Sequence, residues 1–357
     1  MSGFTENYRR LREAIGASDF DAVLLTSPEN IFYVTGFHVG SAIVLATKDA
    51  GLFATDFRYA EDAARHIDAM PIYSTVDRPY KQIVNDFLHA HGAHTLAFEG
   101  SLRYEDYVNA VADLDAQLVA CGSLVTDLRR IKQPFEIERL IAAQRIAEQA
   151  FDDILGFIKP GLSERAVALE LYNRLIIRGG ERLSFSSIVV SGENGSLCHG
   201  VPGPRVINPG EFVTLDFGCV SGGYCSDMTR TVAVGEPSDE MRKVYGIVLD
   251  AQNAAIAAAR PGIVGRDLDA VARKVITDAG YGEFFGHGLG HGLGILVHDT
   301  DGASPCNTRV LPEGTVTTIE PGIYLPGKFG VRIEDVVILK CGGCENITKA
   351  PKNLIVL

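Results

Sequence analysis

The sequence predicts an α+β chain of two domains: a smaller N-terminal α/β domain over residues 1–126 and a larger domain over residues 130–357. Three observations predict it. Short apolar strands and helical patterns alternate up to about residue 126. Beyond residue 130 the same order of elements, helix, Pro-Gly, helix, Gly and hairpin, occurs twice. Each hairpin carries a pair of acids that its pairing brings together.

Composition sets the outer bounds. The chain has 357 residues, 46% hydrophobic and 22% charged, enough for a sizeable core in each of two domains. A formal net charge of −12 argues against nucleic acid and anionic membrane as partners. The seven cysteines are scattered and odd in number. Met1–Phe20 is a polar amphipathic opening rather than a signal peptide. No apolar run approaches the ~18 residues of a membrane span. These features together predict a reducing, cytoplasmic setting.

In the N-terminal domain, residues 22–26, 42–46, 51–55 and 95–100 read as strands, and 60–67 and 80–92 as helices, giving a mixed sheet. His38, His66, His89, His91 and His94 read as isolated from acids and are expected to be surface or satisfied core residues. Asp56-Phe57-Arg58-Tyr59 follows a strand and is expected at an interface or in a wall against substrate. A basic link, Asp127 to Gln133, leads into a helix with Pro134 in its first turn.

The second domain is organised around Glu211–Gly235. Phe212–Cys219 and Tyr224–Val234 form a hairpin, and with Ser221-Gly222 as its loop Asp216 faces Asp227 directly, Cβ atoms ~5 Å apart. The plan recurs in Pro312–Leu339. Gly314 precedes Glu320 by the six positions that separate Gly210 from Asp216. A three-residue turn at Pro326-Gly327-Lys328 sets Glu320 opposite Glu334. Upstream, helical patterns stop at Pro160-Gly161 and Gly179-Gly180 in one copy, and at Pro261-Gly262 and near Gly280 in the other. Two carboxylates ~4 Å apart repel by about 4 kcal/mol at an effective dielectric near 20. Four in one site must keep protons or bind divalent cations. Oxygen ligands with an imidazole suit Mn²⁺, Co²⁺, Fe²⁺ or Zn²⁺.

Two loops hold the histidines. Ser184–Gly203 is a strand and a Gly/Asn/Pro-rich loop carrying His199. Phe284–Asp299 carries His287, His291 and His298. Five alternate glycines, at 286, 288, 290, 292 and 294, exclude the helix of a zinc protease motif. An extended segment instead puts His287 and His291 on one face, with glycines allowing close backbone approach. Ile295–Val297 reads as a short strand. Cys341-Gly-Gly-Cys344 reads as a reduced surface turn, and Cys198 beside His199 as an oxidation-sensitive position. No serine-hydrolase elbow or Walker loop is present.

Asp216, Asp227, His291, Glu320 and Glu334, flanked by VTLDFG, DMTRT, GHGLGHGLG, TTIEPGIY and VRIEDVV, resemble the pita-bread metallopeptidases, most closely the prolidase and Xaa-Pro aminopeptidase branch. The match spans 130–357, and SPENIFYVTGF and ATDFRY extend it into an N-terminal domain of creatinase/prolidase type with a dimer and substrate-wall role. The resemblance implies two divalent ions, manganese first. Asp216 would bind one bidentately, Asp227 and Glu334 would bridge, His291 would complete one ion, and Glu320 would sit beside it and shuttle a proton. The nucleophile would be a water or hydroxide between the ions. His199 and His298 would hold the scissile carbonyl, His287 would position substrate, and Arg332 would orient a ligand carboxylate. Homodimerisation and a peptide substrate with proline in the second position follow from the same likeness. Two departures bear on substrate. Where branches of the family carry an arginine for a dipeptide carboxylate, this chain has Cys306 and Gly302. An aminopeptidase acting ahead of proline is therefore expected, with an Xaa-Pro dipeptidase as the alternative. A metal-free creatinase-type hydrolase or a non-catalytic module on this fold is disfavoured by the complete ligand set.

Overall fold

A computed structural model describes residues 3–76 and 78–357. The chain divides into two units, Met1–Arg129 and Arg130–Leu357. The first contains α1 (Gly3–Gly16), β1 (Ala22–Leu25), α2 (Pro28–Thr35), β2 (Ala42–Thr47), β3 (Gly51–Thr55), α3 (Phe57–His66), β4 (Ile72–Ser74), α4 (Tyr80–His91), β5 (Thr95–Phe98), α5 (Tyr104–Ala110) and β6 (Gln117–Ala120), and α6 (Leu124–Arg130) runs to the boundary. Its strands pair in the order β4-β3-β2-β1-β5-β6. β1–β2 and β2–β3 are antiparallel, and β1–β5, β3–β4 and β5–β6 are parallel, which makes the sheet mixed.

Four helices here, α1, α2, α5 and α6, escape a reading of sequence pattern, the last of them covering the first part of the expected basic link, and the first two show why. α1 lies in the polar opening, where Phe4, Tyr8, Leu11 and Ile15 recur at helical spacing and are buried. α2 is rich in β-branched residues, yet Pro28 sits at its first turn and Gly36 ends it at φ 71°. Asp56 acts on its own helix, its carboxylate capping α3 by accepting from Arg58 N at 2.9 Å.

The second unit contains α7 (Pro134–Leu155), α8 (Glu164–Ile177), β7 (Arg182–Leu183), β8 (Ile188–Ser191), β9 (Glu211–Phe217), β10 (Cys219–Ser221), β11 (Tyr224–Cys225), β12 (Met228–Val234), α9 (Asp239–Ala258), α10 (Gly265–Asp278), β13 (Val316–Ile319), β14 (Gly322–Leu325), β15 (Phe329–Arg332), β16 (Asp335–Lys340) and β17 (Gly343–Asn346). The duplication is visible in detail. Gly161 and Gly262 take φ of 91° and 85°, and Gly210 and Gly314 take 84° and 83°. Isolated antiparallel bridges join Ser163 to Val206 and Val264 to Val310. Gly161 N donates to Ile207 O at 3.0 Å, as Gly262 N does to Leu311 O at 2.9 Å. Each helix pair buries its apolar face on its own strands, α7–α8 on β8, β9 and β12, and α9–α10 on β13–β16.

The first hairpin differs from the expected register. Its loop is Gly222-Gly223, with φ of 56° and 80°, the positive φ at both positions that a type I′ turn needs and that glycine takes without strain. Ser221 pairs with Tyr224, and Asp216 lies opposite Thr229. Asp227 is therefore diagonal to Asp216, still on the same face. The second hairpin follows the expected register through both strand pairs. Leu325 pairs with Phe329, Gly322 with Arg332 and Ile319 with Asp335. That sets Glu320 and Glu334 opposite each other where β13 passes into β14 and β15 into β16. Residues 295–297 are irregular, not a strand. The glycine-rich segment does pack as closely as its composition implies: Gly290 N donates to Ala303 O at 2.9 Å, and a Cβ on Gly290 would lie 2.0 Å from Thr318 O. Among the described residues, no helix is long and apolar enough to cross a membrane.

The Thr318 carbonyl is backbone of β13, facing the histidine segment, so a Cβ at position 290 would force the two segments apart. Gly290→Ala should therefore cost more than about 2 kcal/mol in urea unfolding. A change within about 0.5 kcal/mol would contradict this packing.

Candidate metal centre

The nine candidate residues, His199, Asp216, Asp227, His287, His291, His298, Glu320, Arg332 and Glu334, line one cleft of about 450 Å³ in the second unit. The two hairpins supply the acids: Asp216 near the end of β9, Asp227 just before β12, Glu320 after β13 and Glu334 just before β16. The glycine-rich segment supplies the imidazole. His291 Nε2 lies 3.4 Å from both Asp227 Oδ2 and Glu320 Oε1. One donor atom each from Asp227, His291 and Glu334 falls within 4.8 Å of the others. Asp216 stands outside that trio, its Oδ2 accepting from Arg332 Nη2 at 2.6 Å.

Three buried carboxylate oxygens here, Asp216 Oδ1, Asp227 Oδ1 and Glu334 Oε1, have no hydrogen-bond donor. Buried polar atoms are almost always partnered, and an orphaned carboxylate oxygen is the costliest exception. Burial, and then the charges of Asp216 and Glu320, push the Asp227 carboxyl well above its usual range. Glu334 is raised by burial and by Asp227, Glu320 and Asp216. Glu320 is raised by burial, against the pull of His291 and Arg332. Unpaired oxygens converging with an imidazole, on acids that resist ionising alone, fit divalent cations by donor chemistry and by charge.

A second set of contacts fixes these groups. Thr229 Oγ1 donates to Glu334 Oε2 at 2.7 Å and accepts from Arg332 Nε at 3.1 Å. Thr318 Oγ1 donates to Glu320 Oε1 at 3.1 Å and accepts from His291 N at 3.0 Å. Arg332 Nη1 donates to the Tyr324 hydroxyl at 2.9 Å, and that hydroxyl lies 2.8 Å from His287 Nε2. His287 Nδ1 is 2.8 Å from Gly288 O, where only an N–H fits. The ring is thus neutral and accepts from Tyr324, in keeping with a pKa that burial pushes down to about 4. His298 stacks edge-on against His291, centroids 4.2 Å apart, and its pKa is lowered by burial and then by His291 and His199.

Sequence reading singled out neither Tyr324 nor the threonines. Hairpin pairing held the signal: Thr229 lies opposite Asp216, and Tyr324, opposite Gly330, shares a face with Arg332. Two long-range supports had none. Glu164 accepts from Ser191 N at 2.8 Å and Gly203 N at 3.2 Å, bracketing the His199 loop. Lys132 Nζ meets Asp299 Oδ2 at 2.9 Å, beside His298, with both side chains 1% exposed.

Residues 138–340 match the family described as Metallopeptidase family M24. The chain belongs to metallopeptidase family M24. Residues 8–131 match the Creatinase/Prolidase N-terminal domain. Over 350 residues the chain is 43% identical to an uncharacterized peptidase, YqhT, of Bacillus subtilis, covering 98% of this chain and 99% of that one. The fold is similar to a structure described as Xaa-Pro dipeptidase from Bacillus anthracis, at 42% identity and TM-score 0.95, covering 99% of this chain and 100% of that one. It is also similar to X-Pro aminopeptidase from Thermotoga maritima, at 35% identity and TM-score 0.91, covering 97% and 100%. As an M24 member the chain is a metal-dependent peptidase, and divalent ions come with the family.

Without metal, the M24 acids set a pH dependence of known sign. Asp227, Glu320 and Glu334 have raised carboxyl pKa values when folded. Above the ordinary carboxyl value the folded protein therefore holds more protons than the unfolded chain. The stability this confers is present at low pH and is lost as pH rises through the raised values. A divalent ion displaces those protons. The rise in Tm on adding Mn²⁺ or Zn²⁺ should be larger at pH 8 than at pH 6. An equal rise at both would contradict the reading.

Proposed function

We propose that the chain is an aminopeptidase that hydrolyses the Xaa-Pro bond at the N-terminus of peptides, using two divalent ions, manganese foremost. Asp216, Asp227, His291, Glu320 and Glu334 hold the ions. Bound there, the ions supply the Lewis acidity that polarises the scissile carbonyl and makes water nucleophilic at neutral pH. A Glu320 carboxyl oxygen takes the proton of the attacking water and returns it to the departing prolyl nitrogen. His199 and His298, both on the cleft wall, donate to the carbonyl oxygen as charge develops on it. His287, its ring nitrogens engaged by Gly288 and Tyr324, presents its ring to substrate and holds Tyr324 in place. Arg332 keeps Asp216 oriented. Phe185, Ile188 and Val297 give the cleft an apolar wall suited to a pyrrolidine ring.

One observation carries the choice of aminopeptidase. Among the described residues lining the cleft, Arg332 is the one permanent cation, and its guanidinium is engaged by Asp216, Thr229 and Tyr324. A dipeptide's free carboxylate has no such partner there. Gly302 cannot be exchanged for an arginine in place, because its Cβ would lie 2.4 Å from His291 Cα. The name of the Bacillus anthracis relative favours a second reading, an Xaa-Pro dipeptidase. We place the enzyme in the cytoplasm as a homodimer and assign self-association to the N-terminal domain.

Metal-loaded protein should release the first residue of Xaa-Pro-Xaa tripeptides, lose activity with a chelator and regain it with Mn²⁺ or Co²⁺. Cleavage of Xaa-Pro dipeptides with none of longer peptides would select the second reading. Asp227→Asn and His291→Ala should each lower kcat/KM at least about 100-fold, and full activity in either would remove the site.

A further inference from the structure

α10 carries an ion pair that the hydrolytic roles leave out. Asp269 is 1% exposed. Arg273, one turn along, donates to it from Nε at 2.7 Å and from Nη2 at 3.0 Å. As an i,i+4 pair it would support the helix only slightly. Both residues, however, also reach off the helix onto the histidine segment. Arg273 Nη1 donates to Phe285 O at 2.7 Å and Nη2 to His287 O at 2.7 Å. The guanidinium covers the Phe285 ring, 4.2 Å from its centroid. Asp269 Oδ1 accepts from Leu289 N at 2.9 Å. Residues 285, 287 and 289 are thus held from one side, in a stretch where Gly286 and Gly288 impose no conformation of their own.

The duplication shows that the fold does not need this pair. When Gly161 is matched to Gly262, Ala168 and Tyr172 of α8 fall where α10 has Asp269 and Arg273. α8 packs on its partner helix and strands with no ion pair there, and Tyr172 is exposed. The pair occurs in the half that has a glycine-rich histidine segment to hold.

We propose that Arg273, aligned by Asp269, is a positioning residue for hydrolysis: it fixes the backbone at Phe285 and His287 so that the His287 ring meets the Tyr324 hydroxyl at the cleft wall. It touches no reacting atom. The inference rests on the metallopeptidase reading of the cleft, and its test has one arm independent of activity.

In manganese-loaded full chain, Arg273→Met should lower kcat about 10- to 100-fold, with KM and manganese uptake near those of the parent and Tm lowered because buried Asp269 loses its cation. Arg273→Lys, which keeps the charge but not the fork, should recover part of the loss. In a His287→Ala background, Arg273→Met should cost less than about twofold, because the two residues act through one contact. In zinc-loaded, diamagnetic protein, the His287 Nδ1–H resonance should be sharp in the parent and exchange-broadened in Arg273→Met. A sharp resonance in that variant, or losses that multiply across the double variant, would overturn the proposal. If the parent cleaves no proline peptide, the peptidase specificity fails and the resonance alone decides the positioning claim. Should Arg273→Met not fold, Arg273→Gln answers to the same comparisons.

Discussion

Mutual repulsion among Asp216, Asp227, Glu320 and Glu334 is the constraint on which the second unit depends. The fold brings these carboxylates together in a half-enclosed cleft, where burial and neighbouring charge hold Asp227, Glu320 and Glu334 above the ordinary carboxyl range. Hydrogen bonds offset part of the cost, from Arg332 to Asp216, Thr229 to Glu334 and Thr318 to Glu320. They leave one buried oxygen on each of Asp216, Asp227 and Glu334 with no donor. In the proposed site, cations account for those three atoms, and the M24 family supplies the chemistry in which such cations work.

Duplication explains how so costly a cluster is assembled. Each helix–helix–hairpin copy buries its own apolar face and is stabilised by that burial. The two hairpins then contribute an acid pair apiece from strand ends that backbone pairing already fixes. Stability comes from the apolar layers, so the acidic ends can be shaped by chemistry. The copies differ where the chemistry differs: the second has the glycine-rich segment, with Asp269 and Arg273 beneath it, and the first has Glu164 beneath the His199 loop.

Much of this was legible in the chain because it is local. Period-two strands, Pro-Gly helix ends and repeated glycine-to-acid spacing placed both hairpins, and the three-residue turn set the register of the second. The first register is ambiguous in sequence because Ser221-Gly222 and Gly222-Gly223 both look like turns, and only the φ values separate them. The face of Asp227 is the same in either register because diagonal and opposite neighbours share a side. Tyr324, Lys132–Asp299 and Asp269–Arg273 stayed hidden for another reason. Their meaning lies in contacts between distant segments, and in sequence they look like an ordinary strand tyrosine, a linker lysine and a surface helix pair.

In the proposed site, the acids gathered by the paired hairpins surround two cations. Anomalous diffraction from crystals grown in manganese tests it most directly. Two peaks per chain are expected, within reach of Asp216, Asp227, His291, Glu320 and Glu334. A cleft with no peak, its carboxylates turned apart, would contradict it.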